Sequence, residues 1–139
     1  MPVYPYINFS GTCREAVVFY ATVFQTQAPR FLTFGAIPQN PGFPLSEGAK
    51  ELVLYTELSL AGGKIQFSDV PPWMPEQPSG NVHITIESED KEQLKTWFDG
   101  LKQNGTVGME LDETAWSPLY GIVTDQFGVT WQLNCKNTA

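Results

Sequence analysis

One pattern occurs twice in this chain, and it leaves few folds open. Tyr4-Pro5-Tyr6-Ile7-Asn8-Phe9 alternates, then gives way to a helical run ending Phe19-Tyr20-Ala21-Thr22-Val23-Phe24. Further along, Val82-His83-Ile84-Thr85-Ile86 leads into a helical run containing Trp97-Phe98-Asp99-Gly100-Leu101. Strand-like runs follow each helix. A strand, a helix and further strands, repeated, predict two βαβββ halves that share a curved sheet with a cavity in it. The fold class is therefore α+β: two βαβββ modules forming a curved mixed sheet that encloses a cavity, with the helices on its outer face. Module one covers residues 1–70, a linker 71–80 and module two 81–139, all within a single domain.

The strands carry most of the inference. Leu52, Leu54, Leu58 and Leu60 alternate with Val53, Tyr55, Glu57 and Ser59, and Ala61-Gly62-Gly63 turns the chain. On the return, Ile65 and Phe67 alternate with Lys64, Gln66 and Ser68. Val3, Ile7 and Phe9 alternate with Tyr4, Tyr6 and Asn8. In the second half, Val82, Ile84 and Ile86 alternate with His83, Thr85 and Glu87. Val129, Trp131 and Leu133 alternate with Thr130, Gln132 and Asn134. Successive side chains of a strand point to opposite faces, so each strand has an apolar side and a polar or aromatic side. The apolar sides are expected under the helices. The other sides, if the sheet curls, line a small-molecule pocket with aromatic walls and a few polar groups.

The first helix is expected from Arg14 to Phe24, with Thr12 and Glu15 at capping-box spacing and Ala16, Phe19, Tyr20, Val23 and Phe24 on the buried face. The second is expected from Glu89 to Gln103, with Ser88 as N-cap and Leu94, Trp97, Phe98 and Leu101 buried. Asn104-Gly105 ends it in the manner of a left-handed cap. Two proline-rich stretches, Gly35 to Gly48 and Pro71 to Gly80, read as irregular. The second is the linker. The first is either a lid or partner contact, or an exposed excursion with no role.

Composition narrows the function classes. The formal net charge of -7, with no cluster of Lys and Arg, argues against a nucleic-acid partner. No apolar stretch reaches the roughly 20 residues of a membrane span. Met1-Pro2-Val3-Tyr4 lacks the start of a signal peptide, so the cytoplasm is the expected location. There, Cys13 and Cys135 are expected as reduced thiols. No glycine-rich phosphate loop, dinucleotide fingerprint or methyl-donor site is visible.

The chain resembles the vicinal oxygen chelate superfamily of glyoxalase I, extradiol dioxygenases and bleomycin-resistance proteins, and more closely its PhnB-like, demethylubiquinone methyltransferase-like branch. The matching stretches are Tyr6-Ile7-Asn8-Phe9, Arg14-Glu15-Ala16-Val17-Val18-Phe19-Tyr20 and Ser68-Asp69-Val70-Pro71-Pro72. They continue through Glu113-Thr114-Ala115-Trp116 and Gly121-Ile122-Val123-Thr124-Asp125-Gln126-Phe127-Gly128-Val129-Thr130-Trp131. Metalloenzymes of the superfamily hold a divalent ion with four side chains, two per half. By position, the resemblance puts these at Pro5 or Tyr6, Gln66, His83 and Gln132. Only His83 is a good ligand, and the last-strand carboxylate of an active member is absent. Where PhnB-like relatives tend to carry a histidine, this chain has Tyr55.

The expectation is a small-molecule-binding protein without a complete metal site. Its pocket would be lined by Tyr6, Asn8, Tyr55, Gln66, His83, Glu113, Trp116, Tyr120 and Gln132. No cofactor is expected, and a homodimer is implied by the resemblance. Two other readings are a metal-dependent lyase or dioxygenase, and a protein-interaction module using the proline-rich loops.

Overall fold

Each half of the chain builds its own four-stranded mixed sheet with a helix against it. The computed structural model describes residues 3–37, 44–70 and 82–136. It divides into two compact units, Met1–Gln77 and Pro78–Ala139. The expected linker, 71–80, lies outside the described residues, as do Pro38 and Pro41 of the first proline-rich stretch.

The first unit runs β1 (Tyr6–Phe9), α1 (Cys13–Phe24), β2 (Leu32–Thr33), a 3-10 turn (Phe34–Ala36), α2 (Glu47–Lys50), β3 (Val53–Leu60) and β4 (Gly63–Asp69). Its sheet has the order β1-β4-β3-β2. β1 pairs with β4 in parallel, so Tyr6 stands beside Gln66 and Asn8 beside Ser68. The β3–β4 hairpin turns on Ala61 and Gly62, both at positive φ, as a two-residue turn of primed type requires. The stretch expected to be irregular thus begins in the 3-10 turn and closes into the short helix α2.

The second unit repeats the order: β5 (His83–Ser88), α3 (Lys91–Leu101), β6 (Thr106–Asp112), β7 (Tyr120–Thr124) and β8 (Thr130–Cys135). Its sheet order is β5-β8-β7-β6. The parallel β5–β8 pair sets Thr85 beside Gln132, as Tyr6 stands beside Gln66 in the first unit. Two βαβββ modules are therefore present, each an α+β layer pair.

The helices pack as amphipathic elements do, with some shifts from expectation. α1 buries Cys13, Ala16, Val17, Tyr20, Ala21 and Phe24, while Phe19 and Val23 are only half-buried. Tyr20 stacks on Phe67 of β4 at 5.7 Å between ring centroids, and Phe9 of β1 stacks on Phe67 at 6.3 Å. The Thr12 side chain makes no capping bond, so the Thr12–Glu15 capping box does not form. A cap is worth about 1 kcal/mol. Each fully buried aromatic or aliphatic side chain is worth about 1.5–3 kcal/mol, so packing decides where α1 lies.

α3 starts later than expected, at Lys91, and its N-cap is Asp90, whose carboxylate accepts from the Gln93 amide at 3.1 Å. Ser88 instead accepts from the Asp90 amide at 3.1 Å, setting up the turn that precedes the cap. Leu94, Trp97, Phe98 and Leu101 are buried, as their spacing predicts. At the other end Asn104 takes the positive φ, and Gly105 is needed for another reason: a Cβ there would run into the Thr124 carbonyl.

Three strand assignments also shift. Val3 and Val82 precede their strands and are exposed rather than buried. Thr56, which the alternation of leucines passes over, is fully buried on the apolar side of β3, its hydroxyl donating to the Arg30 carbonyl at 2.8 Å. Val53 is buried although it shares the side of Tyr55 and Glu57.

Candidate functional site

Two buried aspartates frame everything else, and both are structural. Asp69, at the end of β4, is 2% exposed. Its Oδ1 accepts from the Gly11 amide at 2.9 Å and the Cys13 amide at 3.0 Å, and its Oδ2 from the Val53 amide at 2.8 Å. It therefore caps α1 from a remote strand, replacing the local cap that Thr12 fails to make. Asp125, 3% exposed, does the same work for the β7–β8 turn. It accepts from the Phe127 amide at 2.8 Å, the Val129 amide at 3.1 Å and the Trp131 indole N–H at 2.8 Å. Gly128 completes that turn at φ 89. The Asp125-to-Trp131 motif is thus a turn-and-indole lock, not chemistry.

The cysteines are equally inert. Both are buried and free. Burial, reinforced by the charge of Asp69 and offset by Arg14, pushes the Cys13 thiol up to about 12. A helix start does not lower it, since Asp69 already occupies the amides there.

The polar faces hold the candidate site residues. In the first unit, the Tyr55 hydroxyl donates to Glu57 at 2.8 Å, and the Gln66 amide nitrogen donates to the Tyr55 oxygen at 3.1 Å. Glu57 and Gln66 are direct cross-strand partners. Lys64 reaches Glu57 at 3.8 Å and lies 4.3 Å from the centre of the Tyr4 ring, a cation–π contact not foreseen from the sequence. The Tyr55 bond, aided by Lys64 and opposed by desolvation, holds Glu57 below the usual carboxylate range. The same bond is the main cause that pushes Tyr55 up. Asn8 accepts from the Ser68 hydroxyl at 2.7 Å. Tyr6 is 48% and Tyr55 36% exposed, so this face presents aromatic surface outward.

In the second unit four expected residues form one chain. The indole of Trp116 meets the Tyr120 ring edge-on at 5.5 Å. The Tyr120 hydroxyl donates to Gln132 Oε1 at 2.6 Å, and Gln132 Nε2 lies 2.9 Å from His83 Nδ1. Trp116 is 65% exposed on a loop that is firmly pinned. The buried Ser117 hydroxyl lies 2.9 Å from the Leu119 carbonyl and 3.3 Å from that of Cys135. Glu113 stands apart from this chain: it is exposed just after β6, its amide bonded to Asp112 at 2.8 Å.

These donors do not suit a divalent ion. The ligand-equivalent side chains are one imidazole and two neutral amides, and both amides are committed to tyrosine hydroxyls. Among the described residues no three His, Cys, Asp or Glu side chains gather as a metal would require. No helix among the described residues is long and apolar enough to cross a membrane.

Two βαβββ modules with mixed sheets are the architecture that the resemblance to the vicinal oxygen chelate superfamily implies. The chain matches, over residues 2–134, the family described as 3-demethylubiquinone-9 3-methyltransferase, and it belongs to that family. It is 31% identical over 143 residues to Protein YjdN of Escherichia coli strain K12, covering 96% of this chain and 95% of that protein. The crystal structure of protein PA1353 from Pseudomonas aeruginosa superimposes with a TM-score of 0.85 at 28% identity, covering 98% of each chain. A glyoxalase/bleomycin resistance protein/dioxygenase family enzyme from Burkholderia phytofirmans PsJN shares the fold, with a TM-score of 0.60 at 15% identity over 94% of this chain and 95% of that one.

Proposed function

We propose that this chain is a small-molecule-binding protein of the glyoxalase/bleomycin-resistance type that works without a metal centre. The carrying observation is the Tyr120–Gln132–His83 chain of hydrogen bonds. It engages two ligand-equivalent side chains with each other, where a metal enzyme would aim them at an ion. Metal binding there would require breaking these bonds and dehydrating a dication for one imidazole and neutral amides, with no carboxylate to neutralise it. Within the first unit the exposed Tyr6 and Tyr55 rings suit a planar or amphipathic ligand, with Asn8 and Gln66 supplying polar contacts; within the second unit the exposed Trp116 does so, with Gln132 supplying a polar contact. The methyl transfer in the family's description is not carried over, because the sequence holds no recognisable methyl-donor loop. A homodimer in the cytoplasm, with reduced thiols, completes the reading.

Elemental analysis of the purified protein, paired with a thermal-shift screen of aromatic compounds, tests it. Substoichiometric metal and at least one saturable aromatic ligand are expected. Near-stoichiometric zinc, nickel or iron that is lost in His83→Ala would overturn the metal-free reading in favour of a lyase or dioxygenase.

A further inference from the structure

The hydrogen-bond chain on the second sheet bears on more than the fit of an ion: with Gln132 Oε1 turned to Tyr120, it sets which nitrogen of His83 carries the proton. Tyr120 donates to Gln132 Oε1, so the other end of that amide, facing His83, is its NH₂ group. An amide NH₂ only donates. His83 Nδ1, at 2.9 Å, must therefore accept, and the ring proton sits on Nε2. A metal-bound histidine uses the opposite arrangement, donating through its second nitrogen so that the first offers a lone pair. Here the exposed ring offers an N–H instead, and among the described residues nothing bonds to that Nε2.

Further along the same face stand the half-buried Tyr120 ring and the exposed indole of Trp116. The Tyr120 hydroxyl and His83 Nδ1 are separated by two hydrogen bonds and the width of one amide, roughly 7 Å. That is the length of a fused bicyclic ring. Glu87 shares this side of β5, and the chain carries a net charge of -7, both of which disfavour an anionic ligand. We propose that the β5–β8–β7 face binds fused bicyclic aromatic molecules bearing a neutral oxygen acceptor, such as an aryl ketone. The ring lies on Trp116 and meets Tyr120 edge-on, and the oxygen accepts from His83 Nε2–H. Gln132 is a positioning residue that holds the imidazole in the donating tautomer. This inference rests on the small-molecule-binding reading and sharpens it.

The test uses two probes of nearly the same shape: 2-acetylnaphthalene, and 2-isopropenylnaphthalene, in which a CH₂ replaces the oxygen. Dissociation constants come from NMR titration at pH 8, and nitrogen-15 spectra of the imidazole report the tautomer. The wild type is expected to show the Nε2–H tautomer and to bind the ketone about tenfold more tightly, the worth of one hydrogen bond. His83→Phe should erase that preference while keeping affinity for the hydrocarbon, and Trp116→Ala should weaken both probes. Gln132→Leu should shift the tautomer balance and reduce the preference with the fold intact. Equal affinity of the wild type for the two probes would overturn the inference yet leave the broader binding reading standing. An Nδ1–H tautomer, or probe binding indifferent to Trp116→Ala, would also overturn it.

Discussion

Replacing Asp69 with alanine would strand the buried amides of Cys13 and Val53 and the part-buried amide of Gly11. Each unsatisfied buried donor costs about 1–3 kcal/mol, so Asp69→Ala should destabilise the first unit by about 3 kcal/mol or more, read from urea unfolding. A loss below about 1 kcal/mol would mean that water replaces the carboxylate. Cys13 lies beside this aspartate, and its raised thiol couples stability to alkaline pH. The folded state holds the proton up to about 12, while an exposed thiol releases it near its ordinary value of 9.0. Above pH 9 the unfolded chain therefore binds fewer protons, and stability falls as pH rises, by at most about 1.4 kcal/mol per unit. That contribution is fully present below pH 9. Cys13→Ala should flatten the slope measured between pH 9 and pH 10.5, and an unchanged slope would assign it to other groups.

At the level of elements, the contact between α3 and β7 depends on a missing side chain. A Cβ on Gly121 would lie 2.9 Å from Phe98 Cε2 and 3.0 Å from the Leu111 Cα. Phe98 is itself buried, so its ring has little room to retreat. Gly121→Ala should cost about 1–3 kcal/mol in denaturant unfolding, as overpacking does. An unaltered midpoint would show that the helix can shift outward freely. Which elements were legible in the sequence follows the same physics. β4, β5 and β8 could be read because alternation is local, and Ile65, Phe67, Ile86, Trp131 and Leu133 are buried where their parity puts them. The helix starts could not be read fully. Thr12 and Glu15 have the spacing of a cap, but the true partner of that helix end is Asp69, which is distant in sequence. α2, at four residues, is too short for a periodic signal. In the site, parity placed Tyr55, Gln66, His83 and Gln132 on polar faces. Their bonds to one another depend on strand register, and so do the contacts of Lys64, which no local pattern encodes.

For the whole molecule, each sheet ends on edge strands, β1 and β2 in one, β5 and β6 in the other. An edge strand is a surface that a second chain can cover. Light scattering at micromolar concentration should give the mass of a dimer, and a clean monomer would reject that assembly. The two aspartate locks also have a consequence in time. Asp125 binds partners two to six residues away, so its lock can close as soon as the β7–β8 turn forms. Asp69 must reach back 58 residues to Gly11, and α1 has no finished N-terminus until nearly all of the first unit has left the ribosome. Loop closure over that separation comes late on a folding route. The later half of the chain thus carries the quicker latch. Asp125→Ala should slow refolding, whereas Asp69→Ala should mainly speed unfolding. In stopped-flow measurements the reverse pattern would place the long-range latch in the nucleus. A nascent chain halted short of residue 69 would expose an uncapped helix and the amides awaiting that carboxylate.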